Sequence, residues 1–286
     1  MISRTLLHKI LIAFSIAILY TSLSVWLAER IFEETQARQI AKSLITVILV
    51  VTGIVLLRVY KDKGTPKSIG VGSLKQAVLY FGLGASLIVA PISITLLFTK
   101  IFGWSTIMFN AELLSEKVLL YGMLSVLLFE AIPEELLFRG YLYSNLNTRF
   151  QRWKSALMTI GLFVISPFFF VFIQDHIFGL GERQVGHATG ITPSYILTLF
   201  FFGLFNQYLR ILTKSVWAGV GFHLVFVYMN WIIGADANHL IQLDINDRTE
   251  TPMQITMLAV YLLTFILLLI YPRIRGRKIG WNELQT

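Results

Sequence analysis

Cysteine is absent from this chain of 286 residues, so disulfides and thiolate metal sites are excluded and the redox state of the compartment leaves no trace. Charge is scarce: 14% of residues are Asp, Glu, Lys or Arg, where a soluble domain carries about 25%. No internal repeat is evident, which weighs against the repeat-built transporter folds. The glycines form no phosphate-cradling loop pattern. No polar stretch is long enough to make a separate soluble domain. What remains is apolar: 56% hydrophobic residues and a mean hydropathy of +0.70, gathered in long blocks between short polar connections.

Those blocks predict an all-α polytopic membrane protein with about eight transmembrane helices in a single membrane domain, residues 1–286. The spans run Ile10 to Leu27, Ile40 to Leu57, Ala77 to Thr99, Val118 to Phe138, Ser155 to Ile173, Tyr195 to Leu212, Val216 to Ile233 and Met257 to Tyr271. The first is too long for a signal-peptide core and lacks a small-residue cleavage site, so it is expected to stay as an anchor. With the N-terminus in the cytoplasm, 17 of the 24 Lys and Arg residues fall on the inner side, and 11 of the 16 acids fall outside. That asymmetry predicts both termini in the cytoplasm. The net charge of +8 is then a topology signal, and no nucleic-acid partner is expected. Ser105 to Lys117 is expected as an interfacial helix, Gln174 to Ser194 as an irregular glycine-rich outer loop, and Ala235 to Gln254 as an acidic outer loop.

The fourth span breaks the apolar rule. "FEAIPEELLFRGYLY", residues 129–143, sets three glutamates and an arginine inside it. An ionised side chain at the bilayer centre costs roughly 3 kcal/mol or more, so such groups persist mostly where they face an intramembrane polar cavity and do chemistry or transport. On a helix Glu130 and Glu134 share a face, and Glu135 lies about 100° round from Glu134. Arg139 follows Glu135 by four residues, a spacing that can hold one carboxylate ionised and oriented while another acts on a water. The plainer alternative is a helix-end charge cluster, with Arg139 at the cytoplasmic boundary. His223 lies nine residues from Lys214, about 14 Å into the seventh span. An imidazole at that depth needs a polar partner, and the glutamates are the obvious ones; a structural hydrogen bond between helices is the alternative. Asn206 and Gln207 in the sixth span either line the cavity or bond between helices, the latter being favoured.

"EELLFRGYLY", followed by Trp153 and by "SVWAGVGFHLVFVYMN", resembles the CPBP family of intramembrane proteases. That family contains the endopeptidases that trim prenylated CAAX proteins, and bacterial relatives tied to bacteriocin immunity. The resemblance covers residues from about 118 to 233. It implies Glu134 as the base that activates the attacking water, Glu135 and Arg139 in support, and His223 binding water or stabilising the oxyanion. It also implies a bacterial cytoplasmic membrane as location, membrane lipid as surroundings, and a peptide or prenylated protein as substrate. Two positions depart from the family pattern. A second histidine, expected in FxxxH, is replaced in "FVISP" by Pro167, and Val227 stands where an Asn or Asp should follow His223.

Substitutes lie nearby. "FIQDH" ends in His176, and Asn230 follows His223 by seven residues on nearly the same face. Depth argues against His176: it lies about 33 Å above Lys154, whereas Glu134 lies about 22 Å above Arg149. It reaches the glutamates only if Pro167 breaks the helix and folds the chain back. Glu130, His176 and Asn230 are therefore secondary candidates, and His187, in the outer loop, ranks below them. Whether the chemistry uses a divalent metal such as zinc stays open; a zinc site wants about three protein ligands, which Glu134, Glu135 and His223 barely supply. The sequence reads as an intramembrane endopeptidase in which a glutamate-activated water attacks a peptide bond. A non-catalytic scaffold or regulator of the same fold, bound to another membrane protein, is the alternative, with a proton-coupled transporter third.

Overall fold

The computed structural model describes every residue except 1–2, 104, 111–115, 181–190, 235–238, 246–250, 275, 277–278 and 285–286. Helices α1 (Arg4–Ile31) and α2 (Thr35–Leu56) pack against each other. Helix α3 (Leu74–Ile101) opens on a capping box in which Ser73 and Gln76 satisfy each other's backbone amides. A long helical rod covers 116–147, and α7 (Arg152–His176), α8 (Pro193–Thr213), α9 (Trp217–Ile232) and α10 (Thr251–Ile274) complete the bundle. The rod sits at its centre, packed by α1, α2, α7, α8 and α9.

Among the described residues, five helices are long and apolar enough to cross a membrane: Arg4–Ile31, Thr35–Lys61, Pro66–Ile101, Arg152–His176 and Pro193–Thr213. Trp217–Ile232 and Leu258–Ile274 are shorter apolar helices. The protein is a helical, multi-pass membrane protein.

The rod is not one uniform helix. It consists of α4 (Glu116–Ser125), a wider π-helical turn (Val126–Ala131), the short α5 (Ile132–Glu134), a second π-helical stretch (Glu135–Leu142) and α6 (Tyr143–Asn147). Pro133 supplies a cause for the first widening, because it has no N–H to return to the Phe129 carbonyl. Wide turns of this kind are frequent at functional sites, and here they flank Glu134.

Pro167 behaves differently. Helix α7 runs straight through it to His176. The Phe163 carbonyl, which loses its partner at Pro167, accepts instead from the Ser166 hydroxyl at 2.7 Å. Local repair of this kind lets membrane helices keep a proline.

Ser105–Phe109 forms a strand, β1, where an interfacial helix was expected. It pairs antiparallel with β3 (Ile241–Ile245), from Ser105 opposite Ile245 to Phe109 opposite Ile241. The two-residue β2 (Ile233–Gly234) runs parallel on the far side of β3. The β-branched and aromatic residues of "STIMF" favour a strand, and pairing satisfies main-chain groups at the bundle's edge. The acidic segment expected as an outer loop thus contains β3 and the start of α10.

Candidate active site

The glutamates diverge on the rod. Glu135 is fully buried, and its Oε1 accepts from Arg139 Nη1 at 3.1 Å and from His223 Nδ1 at 3.2 Å. The Arg139 guanidinium lies 4.4 Å above the Phe163 ring, and its Nη2 donates to the Gly203 carbonyl at 3.4 Å. Phe202 meets the His223 ring edge-on at 4.7 Å between centroids. The ion pair is thus sealed by aromatic rings that a guanidinium tolerates well. It is not a helix-end cluster at a solvent boundary, since Arg139 is 1% exposed.

Glycines make this packing possible. A Cβ on Gly219 would meet Glu135 Oε2 at 2.5 Å, so only glycine leaves room for the carboxylate. A Cβ on Gly221 would overlap the Phe81 carbonyl of α3, and one on Gly84 the Ala218 carbonyl of α9. Helix α9 therefore lies close against α3 and presents His223 to the rod.

Glu130 and Glu134 face the other way. Both are half-buried and line a cavity of about 130 Å³ with Thr21, Ser166, Pro167 and Tyr195. Glu134 remains close enough to His223 and Arg139 for their charges to interact. Tyr195 stands in the first turn of α8, which is held by Pro193 and by Thr192, whose hydroxyl accepts from the Tyr195 amide at 3.2 Å. Its phenol feels the charge of both pocket carboxylates. Sequence reading missed Tyr195 and Ser166: "TPSY" announces a helix start, but no periodicity says which way its tyrosine faces.

Several expectations need correction. Glu134 and Glu135 were expected to point together into one hollow beside His223; the structure divides them, Glu135 to the histidine and Glu134 to the cavity. His176 is exposed at the end of α7, stacked on Phe172 with centroids 4.5 Å apart, and nine residues, about 13 Å, beyond Pro167. It is not brought to the glutamates, because α7 continues unbroken through Pro167. Asn230 donates to the Phe226 carbonyl at 2.9 Å within its own helix. Asn206 and Gln207 make no interhelical hydrogen bond among the described residues; both are buried, with Asn206 beside the Gly219 position and Glu135. His187 lies outside the described residues.

The donor set does not suit a metal ion. No group of three or more His, Asp or Glu side chains among the described residues is arranged to hold one. Glu135 Oε1 is already shared by a guanidinium and an imidazole.

Residues 116–229, roughly 40% of the chain, match the family model described as Rce1-like, type II CAAX prenyl endopeptidase Rce1-like. The matched stretch runs from the start of the rod into α9, close to the 118–233 expected, and includes Glu134, Glu135, Arg139, Pro167 and His223. Residues 116–229 are thus similar to that family of proteases, and they lie within a helical membrane bundle. No curated protein matches the chain.

Proposed function

We propose that this protein is an intramembrane endopeptidase of the CAAX-protease type, with eight spans and both termini in the cytoplasm. Glu134 is the general base. It takes a proton from a water in the cavity as the oxygen attacks the scissile carbonyl carbon, and it returns the proton to the leaving amine as the C–N bond breaks. The Tyr195 hydroxyl is the donor best placed to stabilise the oxyanion, a task for which the family's second imidazole is missing. Glu135, Arg139 and His223 hold the rod in register and keep positive charge beside the cavity. The substrate is a peptide or prenylated tail of a membrane-associated protein.

The observation that carries this reading is a pair of half-buried carboxylates facing a cavity, backed by a fully buried Glu–Arg–His unit. No step runs through a metal ion, since the donor set offers too few ligands. A second reading, a non-catalytic scaffold that binds another membrane protein, is supported by Pro167, which lines the cavity with Glu134 and stands where the family resemblance leads one to expect a second histidine.

The test is cleavage of a panel of prenylated and unmodified CAAX-type peptides by the full chain in proteoliposomes, with and without chelator. The endopeptidase reading expects cleavage that Glu134→Ala lowers by at least about 100-fold, with helical content unchanged. Full cleavage by that variant removes Glu134 as the base. A folded wild-type protein that cleaves nothing in the panel favours the scaffold.

A further inference from the structure

Where α7 begins and α8 ends, four cations gather round one cleft. Arg210, in the last turn of α8, is 5% exposed. Its Nε donates to the Arg139 carbonyl at 2.9 Å and its Nη2 to Ser144 Oγ at 3.4 Å, so neutral oxygens hold it, and no carboxylate among the described residues pairs with it. Gly70 makes its space: the backbone there has φ 93°, and a Cβ would meet the guanidinium carbon at 2.9 Å. Lys67, Arg152 and Lys214 line the same cleft of about 300 Å³, together with Tyr143. A second hollow of about 410 Å³ shares Arg152, Ile211 and Lys214 with it.

The neighbouring acids are already matched. Glu283 pairs with Arg152 at 2.8 Å, while Asp62 takes Lys9 at 2.7 Å and Arg58 at 3.3 Å. Among the described residues, Arg210, Lys67 and Lys214 are left as surplus positive charge. The plain explanation is a membrane boundary rich in basic residues, next to a helix C-terminus whose carbonyls favour cations. It accounts for the exposed Lys67 and Lys214. It does not account for Arg210, because burying a guanidinium without a counter-anion is costly.

One guanidinium, two ammonium groups and a phenol converging on a small cleft are the donors that a phosphate group takes. We propose that this cleft binds a phosphate ester, either the headgroup of an anionic phospholipid or a soluble phosphate compound. Basic pockets between helix ends are where anionic headgroups settle.

The experiment uses the delipidated full chain in neutral detergent and follows its unfolding midpoint. Short-chain phosphatidylglycerol, short-chain phosphatidylcholine and glycerol phosphate are titrated separately. Saturable stabilisation by phosphatidylglycerol, with little from phosphatidylcholine, is expected. Lys67→Gln with Lys214→Gln should weaken it by about tenfold or more while leaving the unliganded midpoint in place. Arg210→Gln, which also breaks the bond to Arg139, is the harsher variant and should abolish the shift. An equal response to glycerol phosphate supports the site with a soluble ligand; a response to the lipid alone supports it with a headgroup. No shift with either, or a shift that the double variant keeps in full, overturns the proposal.

Discussion

The two faces of the central rod carry the same residue type in opposite surroundings. Glu135 is sealed among Phe163, Phe202 and Gly219 and gives one oxygen to both Arg139 and His223. Glu134, its neighbour in sequence, is half-buried and faces a cavity with Glu130. The helix turns about 100° per residue, so one Glu–Glu dipeptide can serve two environments. A carboxylate with one oxygen held by both a guanidinium and an imidazole stabilises; a carboxylate facing space can move a proton. In the proposed mechanism, structure and chemistry are thus divided between adjacent side chains.

The sharpest way to break that division is to remove the sealed carboxylate. Glu135→Ala leaves Arg139 buried without its counter-charge, and a loss of about 3–5 kcal/mol is expected. That is enough to empty the folded peak in detergent chromatography, whereas Glu134→Ala should elute as wild type. A smaller effect belongs to the far end of the rod, where Asp62 joins α1 to the rod through Lys9 and Asn145. Burial alone would raise the Asp62 carboxyl, but Lys9 and polar neighbours, among them the hydrogen bond from Asn145, outweigh it and hold the group below its ordinary value of 3.8. Its stabilising contribution is therefore complete above that value and is lost as pH falls through the lower, folded one. Asp62→Asn should cost about 1–2 kcal/mol near neutral pH, because its partners are partly exposed. It should also flatten the acid limb of the unfolding midpoint plotted against pH; an unchanged limb would assign acid sensitivity to other groups. The smallest effect is expected at His176, which stands apart from both faces. His176→Ala should change cleavage and midpoint within error, and a large loss of cleavage would mean that α7 bends in the working enzyme.

Much of this was legible in the residues. The apolar blocks marked the helices, the EExxxR spacing gave the Glu135–Arg139 pair, and the depth of His223 required a polar partner. Counting from Arg139 and Trp153 singled out "FVISP", and in the structure the Phe163 ring meets Arg139 while Pro167 lines the cavity with Glu134. What was not legible depends on packing. The choice of Glu135 rather than Glu134 for His223 follows from how closely Gly219 lets α9 approach. The strand at Ser105–Phe109 depends on a partner about 135 residues away. Whether a proline breaks a helix depends on its surroundings, and α7 runs on through Pro167 with the Ser166 hydroxyl bonded to the Phe163 carbonyl. Arg210 offered a weak signal, a lone arginine inside an apolar helix, which the positive-inside count absorbed.

The most direct measurement sets Glu134→Gln beside Glu135→Gln, with cleavage rate and unfolding midpoint recorded on the same preparations. If the neighbouring carboxylates have divided their labour, the first variant loses cleavage and keeps its midpoint, and the second loses both. A Glu134→Gln protein that cleaves normally, or that unfolds as readily as Glu135→Gln, contradicts it.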